Sequence, residues 1–193
     1  MQRAARSLHF PALPTVYSAV DGGKLMVASI LIFAIGNESR GDDAIAPLLL
    51  RRLAAWLEAE DIAGRFELLE DFQLQVEHAT DMVGRELVLF IDAGMDTPAP
   101  YNFYRARSND SRTLFSHAIT PEAVLSTYQQ VYQQTPPPAF VLCIRGERFE
   151  LGELPSQEAR QRMELAMGFL QELMQKAEKS SWEDRSTTPR QDG

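Results

Sequence analysis

The stretch Ile30-Leu31-Ile32-Phe33-Ala34-Ile35-Gly36-Asn37-Glu38-Ser39-Arg40-Gly41-Asp42-Asp43-Ala44-Ile45-Ala46 passes from one structural period to another. Its apolar run begins at Val27, is rich in β-branched residues and stops at Gly36. That pattern predicts a strand over residues 27–35, buried on both faces of a sheet. Past the polar loop, Ile45, Leu48, Leu49, Leu53, Trp56 and Leu57 recur at three- and four-residue spacing, giving a helix over residues 43–63 one apolar face. Asp42 or Asp43 is placed to cap that helix, and Pro47 falls in its first turns, where a missing N–H costs little.

The alternation continues toward the C-terminus. Residues 66–69 read as a second strand, 76–83 as a short helix, and 87–91 as a third strand ending at Asp92-Ala93-Gly94. Residues 101–107 alternate weakly and suit an edge strand. Thr120-Pro121-Glu122 opens a helix over 120–134 with a capping residue followed by proline at the first helical position. Residues 139–144 form another buried strand. A last helix, over 156–178, places Met163, Ala166, Met167, Leu170 and Leu173 on one face with Ser156 as its cap. Strands alternating with helices predict an α/β fold: three layers, α/β/α, around a mostly parallel sheet of about five strands with one antiparallel edge strand.

Bulk properties bound the function. With 193 residues, 45% of them apolar, the chain can bury one core and is too short for two comfortable domains. We expect a single domain over residues 26–179. Residues 1–25 show neither period and form an expected flexible extension, with Met26 as a candidate natural start. The polar stretch 180–193 is expected to be disordered. The net charge of −8 argues against nucleic acid and anionic membranes, whose affinity comes from Lys and Arg. Cys143 is the one cysteine, so no internal disulfide, thiolate zinc site or iron–sulfur cluster can assemble within the chain. No apolar run approaches the roughly 18 residues of a membrane span, and no signal-peptide apolar region follows Arg3 and Arg6. A cytoplasmic location is expected, and a monomer is the favoured state.

Ligands of open parallel sheets collect outside the carboxyl ends of the strands. After the first strand comes the Gly36–Asp43 loop, after the second Glu70-Asp71-Phe72-Gln73, after the third Asp92, and His117 lies in a loop before a helix. Carboxylates with an imidazole suit a divalent metal where thiolates are lacking. Each residue also has a plainer reading. Asp42 and Asp43 could serve only the helix start, and Asp92 could anchor a turn. His78 reads as a surface or core-edge residue, and Cys143 as an inert core thiol. No Gly-x-Gly-x-x-Gly, Gly-Lys-Ser/Thr or Gly-x-Ser-x-Gly occurs, which disfavours nucleotide binding and a serine nucleophile.

The segment Ile35-Gly36-Asn37-Glu38-Ser39-Arg40-Gly41-Asp42-Asp43-Ala44-Ile45-Ala46 resembles the Gly-Asn-x4-Asp-(Asp/Glu)-x-x-Gly signature of the hydrogenase maturation proteases, which cut a C-terminal extension from the nickel-containing large subunit. Ala46 stands where many members have glycine. Ser116-His117-Ala118-Ile119-Thr120-Pro121-Glu122 resembles the family's histidine loop, and Leu89-Phe90-Ile91-Asp92-Ala93 its third-strand ending. The resemblance spans about residues 26–174. It implies Asp43, Asp71 and His117 as metal-binding positions. For the middle one, counting back from Asp92 without a gap selects Glu70, and a one-residue deletion selects the preferred Asp71. In place of the usual Asp-Gly-Gly-Thr this chain reads Asp71-Phe72-Gln73-Leu74-Gln75, which resembles a branch serving cytosolic, cofactor-linked hydrogenases.

The implied activity is a peptidase acting on a hydrogenase large-subunit precursor. Nickel comes with that substrate, and no organic cofactor is expected. Gly36, Asn37 and Gln73 are candidates for positioning the peptide, although Asn37 equally suits an Asx turn. Asp43 and Asp71 are the candidate catalytic groups, water activation falling either to a carboxylate or to the metal acting as a Lewis acid. Two other classes stay open at this point: a nickel-recognising binding module or chaperone without hydrolysis, and a doubly wound enzyme handling a small phosphate or nucleotide.

Overall fold

Six consecutive buried residues make Ile30–Ile35 an interior strand of the sheet, β1. Its side chains divide by parity. Ile30, Ile32 and Ala34 enter one apolar cluster, while Leu31, Phe33 and Ile35 enter another. A strand apolar on both faces requires a helical layer on each, and this determines the rest of the architecture. The computed structural model describes residues 28–108 and 119–187, together with the backbone of a two-residue antiparallel ladder, Val20–Asp21 with Lys24–Leu25.

The other strands of the main sheet are Phe66–Asp71 (β2), Leu87–Gly94 (β3), Tyr101–Ala106 (β4) and Ala139–Arg145 (β5). Their order is β2-β1-β3-β5-β4. β1 pairs in parallel with β2 and β3, β3 pairs in parallel with β5, and β4 closes one edge antiparallel to β5. Helices α1 (Ile45–Ala59) and α3 (Gln157–Gln175) supply Leu49, Leu53, Ala166 and Leu170 to the first cluster. Helix α2 (Pro121–Tyr132) and the 3-10 turn Val76–Ala79 supply Val124, Leu125, Tyr128 and Ala79 to the second. The expected three-layer α/β/α arrangement, mostly parallel with one antiparallel edge strand, is borne out.

Two predicted caps hold as well. Thr120 Oγ1 accepts from the Ala123 N–H at 3.3 Å, and Ser156 Oγ accepts from the Ala159 N–H at 3.1 Å. The predicted cap of α1 does not. A 3-10 turn, Gly41–Ala44, precedes that helix, and no side chain caps either element. Asp42 is engaged by backbone donors more than 100 positions away and Asp43 by the Asn37 N–H of the same loop.

The elements also differ in extent from the predicted ones. β2 runs through Asp71 and β3 through Gly94, so Glu70, Asp71 and Asp92 sit within strands rather than beyond them. The predicted helix over 76–83 contracts to the single 3-10 turn.

The C-terminal boundary needs a larger correction. Residues 180–187, expected in a disordered tail, are ordered: a fourth helix, α4, spans Lys179–Arg185. Its Trp182 is fully buried, packs edge-on against Phe103 and Phe140, and donates its indole N–H to the Leu173 carbonyl at 3.1 Å. Beyond it the Thr187 N–H donates to the Phe103 carbonyl at 2.8 Å. One large aromatic with a satisfied indole outweighs a polar composition, since burying it removes on the order of 200 Å² from water. Residues 1–19 and 188–193 lie outside the described residues. No described helix is long and apolar enough to cross a membrane.

The chain leaves β1 for β2 on one side and returns for β3 on the other. Such a reversal leaves a crevice at the carboxyl ends of the strands, where connections diverge. The candidate residues lie at that end.

Candidate active site

Two acidic residues are anchored on neighbouring backbone groups at the end of β1. The Gly36 N–H donates to the Asp71 carbonyl at 3.0 Å, and the Asn37 N–H donates to Asp43 Oδ2 at the same distance. Gly36 makes this possible. A Cβ at that position would lie 2.1 Å from the Asp43 carbonyl oxygen, so only glycine lets the strand end pass beneath the Gly41–Ala44 turn. Asn37 Oδ1 accepts from the Ser39 N–H at 2.9 Å, which forms the Asx turn that its residue type allows. Gln73 is exposed in the loop after β2.

Parity separates Glu70 from Asp71. Ala34 pairs with Glu70 and Ile35 with Asp71, so the two acids project to opposite faces of the sheet. Glu70 meets α1 through Arg51, whose guanidinium bonds Glu70 Oε1 at 2.7 Å and also grips Glu38. Asp71 faces the α2 side, where His78 Nε2 lies 3.3 Å from its Oδ2 and the Phe72 N–H donates to its Oδ1 at 2.6 Å. Asp92 projects to the same side as Asp71, since Ile91 belongs to the α1 cluster and successive residues alternate. The two flank Ile35 on strands separated by one intervening strand, roughly 10 Å apart.

Asp92 is the most perturbed acid of the group. Burial pushes its carboxyl up to about 6, the Ala93 N–H donating to Oδ1 works against this, and the Asp43 charge adds to it. Burial also raises the Asp43 carboxyl, partly offset by the Asn37 N–H and the charge of Arg40. A buried carboxyl raised further by a neighbouring carboxylate is typical of sites that handle a proton or a cation. Cys143, opposite Asp92 in register, has its thiol pushed up to about 11 by burial and lies 2.8 Å from Thr97 Oγ1. It is a core thiol, not a nucleophile.

Asp42, the neighbour of Asp43, is fully buried. Its Oδ2 accepts from the Glu147 and Arg148 N–H groups at 2.8 and 3.1 Å, and its Oδ1 from the Ser156 N–H at 2.7 Å. Burial alone would raise this carboxyl, but these donors and the Ser156 hydroxyl outweigh it and hold the group below the ordinary range. The loop after β5 is thereby laced to the loop after β1. The Gly41 N–H donates to the Glu153 carbonyl, the Asp42 N–H to that of Arg148 and the Gly152 N–H to that of Ser39, at 3.1, 2.7 and 2.6 Å. Gly41 has φ +56, and a Cβ there would meet the Arg148 carbonyl oxygen at 2.5 Å.

The structure therefore brings Asp43, Asp71 and Asp92 to one end of the sheet. His117 lies outside the described residues. Among the described residues no group of three His, Cys, Asp or Glu side chains is arranged to hold a metal. Two partners escaped the sequence reading: Asp42 as tertiary staple, and His78 as the neighbour of Asp71. The Gln75-x-x-His78 spacing is a local signal for the latter, because His78 Nδ1 accepts the Gln75 N–H in a capping box.

This arrangement of sheet, loops and helices matches solved structures. The HycI maturation protease of nickel–iron hydrogenase from Thermococcus kodakarensis KOD1 superposes with a TM-score of 0.60 at 23% identity, covering 77% of this chain and 93% of that one. The fold is that of the hydrogenase maturation proteases. The maturating endopeptidase HybD of Escherichia coli agrees, with a TM-score of 0.58, 21% identity, and coverage of 77% of this chain and 93% of that one. An endopeptidase from Escherichia coli covers 85% of this chain and 99% of its own at a TM-score of 0.54 and 21% identity. No protein-family model matches the sequence, and no curated protein matches it. At these identities the likeness is one of fold.

Proposed function

We propose that this chain is an endopeptidase that removes the C-terminal extension of a nickel-loaded hydrogenase large-subunit precursor, with Asp43, Asp71 and His117 receiving the nickel carried by that substrate. The observation that carries the reading is the placement of Asp43 and Asp71 on the adjacent Gly36 and Asn37 N–H groups, at the carboxyl-end crevice of a fold shared with solved maturation proteases. Carboxylates and an imidazole are suitable donors for divalent nickel. Glu70 is occupied by Arg51 on the opposite face, which favours Asp71 as the second ligand.

Asp43 and Asp71 are the two candidate bases, and a carboxylate engaged with the nickel would leave water activation to the other or to the metal as a Lewis acid. A water attacking the scissile carbonyl would give its proton to a carboxylate free of the metal, that proton would pass to the departing amine as the C–N bond breaks, and the products would be two peptides with no covalent enzyme intermediate. Gly36, Asn37 and Gln73 line the path of the peptide, and the substrate reaches the site from solvent in the cytoplasm. Large apolar side chains left exposed on the surrounding loops, Phe72, Met95, Leu151 and Leu154, suit a polypeptide substrate better than a small ion.

The test is incubation of nickel-loaded precursor with the protein and with Asp43→Asn, Asp71→Asn and His117→Ala, read by precursor mass. Loss of the C-terminal extension with the unaltered protein and its retention with the variants is the expected result. Full cleavage by all three variants would overturn the site. An uncleaved precursor that nonetheless binds would identify a nickel-recognising module instead.

A further inference from the structure

Asp71 is held by a side chain that the fold does not need for that purpose. His78 sits in the 3-10 turn Val76–Ala79, and its Nδ1 accepts the Gln75 N–H at 3.0 Å. A ring nitrogen that accepts an N–H carries no proton, so the ring proton resides on Nε2. That nitrogen lies 3.3 Å from Asp71 Oδ2. The ring is fixed from below by Phe33, with centroids 5.1 Å apart, and Phe33 is itself buried and stacked on Phe90. Rotating the imidazole away from Asp71 would break the turn's cap and uncover that aromatic pair.

We propose that His78 is a positioning residue of this site, fixing the plane of the Asp71 carboxylate through the 3.3 Å contact of its Nε2 with Oδ2; the inference rests on Asp71 belonging to the active site. With the Phe72 N–H bonded to Oδ1 and the His78 ring set against Oδ2, each carboxylate oxygen has one polar neighbour and keeps a lone pair for a further partner. A carboxylate held at both oxygens has little rotational freedom to lose when it takes up a cation or a water. Groups that orient a ligand in this way typically change metal affinity or activity by about 10- to 100-fold when removed.

The two nitrogens of His78 allow a structural role to be separated from a positioning one. The turn needs only the Nδ1 acceptor, whereas Asp71 needs only the Nε2 donor. His78→Asn offers an acceptor at the δ position and cannot reach Asp71. His78→Gln offers an N–H at the ε position. With nickel-loaded precursor as substrate, His78→Asn and His78→Gln are expected to lower the melting temperature alike through loss of the ring on Phe33 and to keep KM, while His78→Asn loses kcat by about 10- to 100-fold and His78→Gln recovers most of that loss. Equal kcat in His78→Asn and the unaltered protein, or a His78→Gln as impaired as His78→Asn, would overturn the assignment.

If the unaltered protein leaves the precursor intact, the proposed function fails, and the His78 pairing is judged by nitrogen NMR of the ring. A proton on Nε2 whose resonance moves in Asp71→Ala supports the pairing. A proton on Nδ1, or a resonance indifferent to Asp71→Ala, refutes it.

Discussion

Asp42 Oδ1 accepts the backbone N–H of Ser156 at 2.7 Å, across 114 positions of chain. That bond joins the loop after β1 to the start of α3, and the same carboxylate collects the Glu147 and Arg148 N–H groups. An acidic residue next to a helix start thus serves a different helix from the one it precedes.

Replacing Asp42 by Asn removes one acceptor oxygen and turns an NH₂ toward backbone donors in a buried site. We expect Asp42→Asn to lose on the order of 3 kcal/mol of stability at neutral pH, which for a chain of this size lowers the melting temperature by about 10 °C. The folded carboxyl lies below its ordinary value of 3.8, so its contribution is present above that value and fades as pH falls through the folded one. Urea melts from pH 7 downward should show the gap between the two proteins closing in acid. A constant gap would contradict the assignment.

Asp92 titrates with the opposite sign. Its carboxyl is raised from 3.8 to about 6, so the stability it contributes is complete below the unfolded value and is lost as pH rises through about 6. A rise from 3.8 to about 6 corresponds to about 3 kcal/mol. Asp92→Asn keeps an oxygen for the Ala93 N–H and removes the buried charge. It should be more stable than the unaltered protein at pH 8, with the difference vanishing near pH 4, as measured by chemical denaturation.

Gly36→Ala tests the close approach at the end of β1. The added methyl would sit 2.1 Å from the Asp43 carbonyl oxygen, so the turn carrying Asp43 must move. Precursor cleavage should fall by at least about tenfold, since displacements near 1 Å at a reacting centre can cost 100-fold. Retention of full activity would show that Asp43 need not lie where this strand end places it.

Trp182→Ala tests the fourth helix. Deleting a fully buried indole that also bonds the Leu173 carbonyl should cost about 3–5 kcal/mol. Truncation after Glu178 should cost a similar amount, and a truncated chain melting at an unchanged temperature would return these residues to the status of a tail.

Most of the scaffold was legible because its signals are local. The apolar run 30–35, the spacing of Leu49, Leu53 and Leu57, and the caps Thr120 and Ser156 each report the backbone around them, and the structure follows all of them. Trp182 was not legible, because an isolated aromatic in a polar stretch has no period; only the gap beside Phe103 and Phe140 gives it a place. At the site, the sequence supplied carboxylates near three strand ends. It could not supply the choice between Glu70 and Asp71 in space.

What the sequence by itself determined is the strand–loop–helix unit around Gly36, the layered α/β class and the acidic residues that gather at one end of the sheet. Hydrophobic period and turn chemistry act over a few residues, so they can be read from the chain. What only the tertiary structure decided is partnership: Asp42 with Ser156, Glu70 with Arg51, and Asp71 with His78. Strand parity and sheet order set those pairs. A carboxylate is committed to whichever donor the fold brings within hydrogen-bonding distance, and sequence spacing alone does not encode that distance.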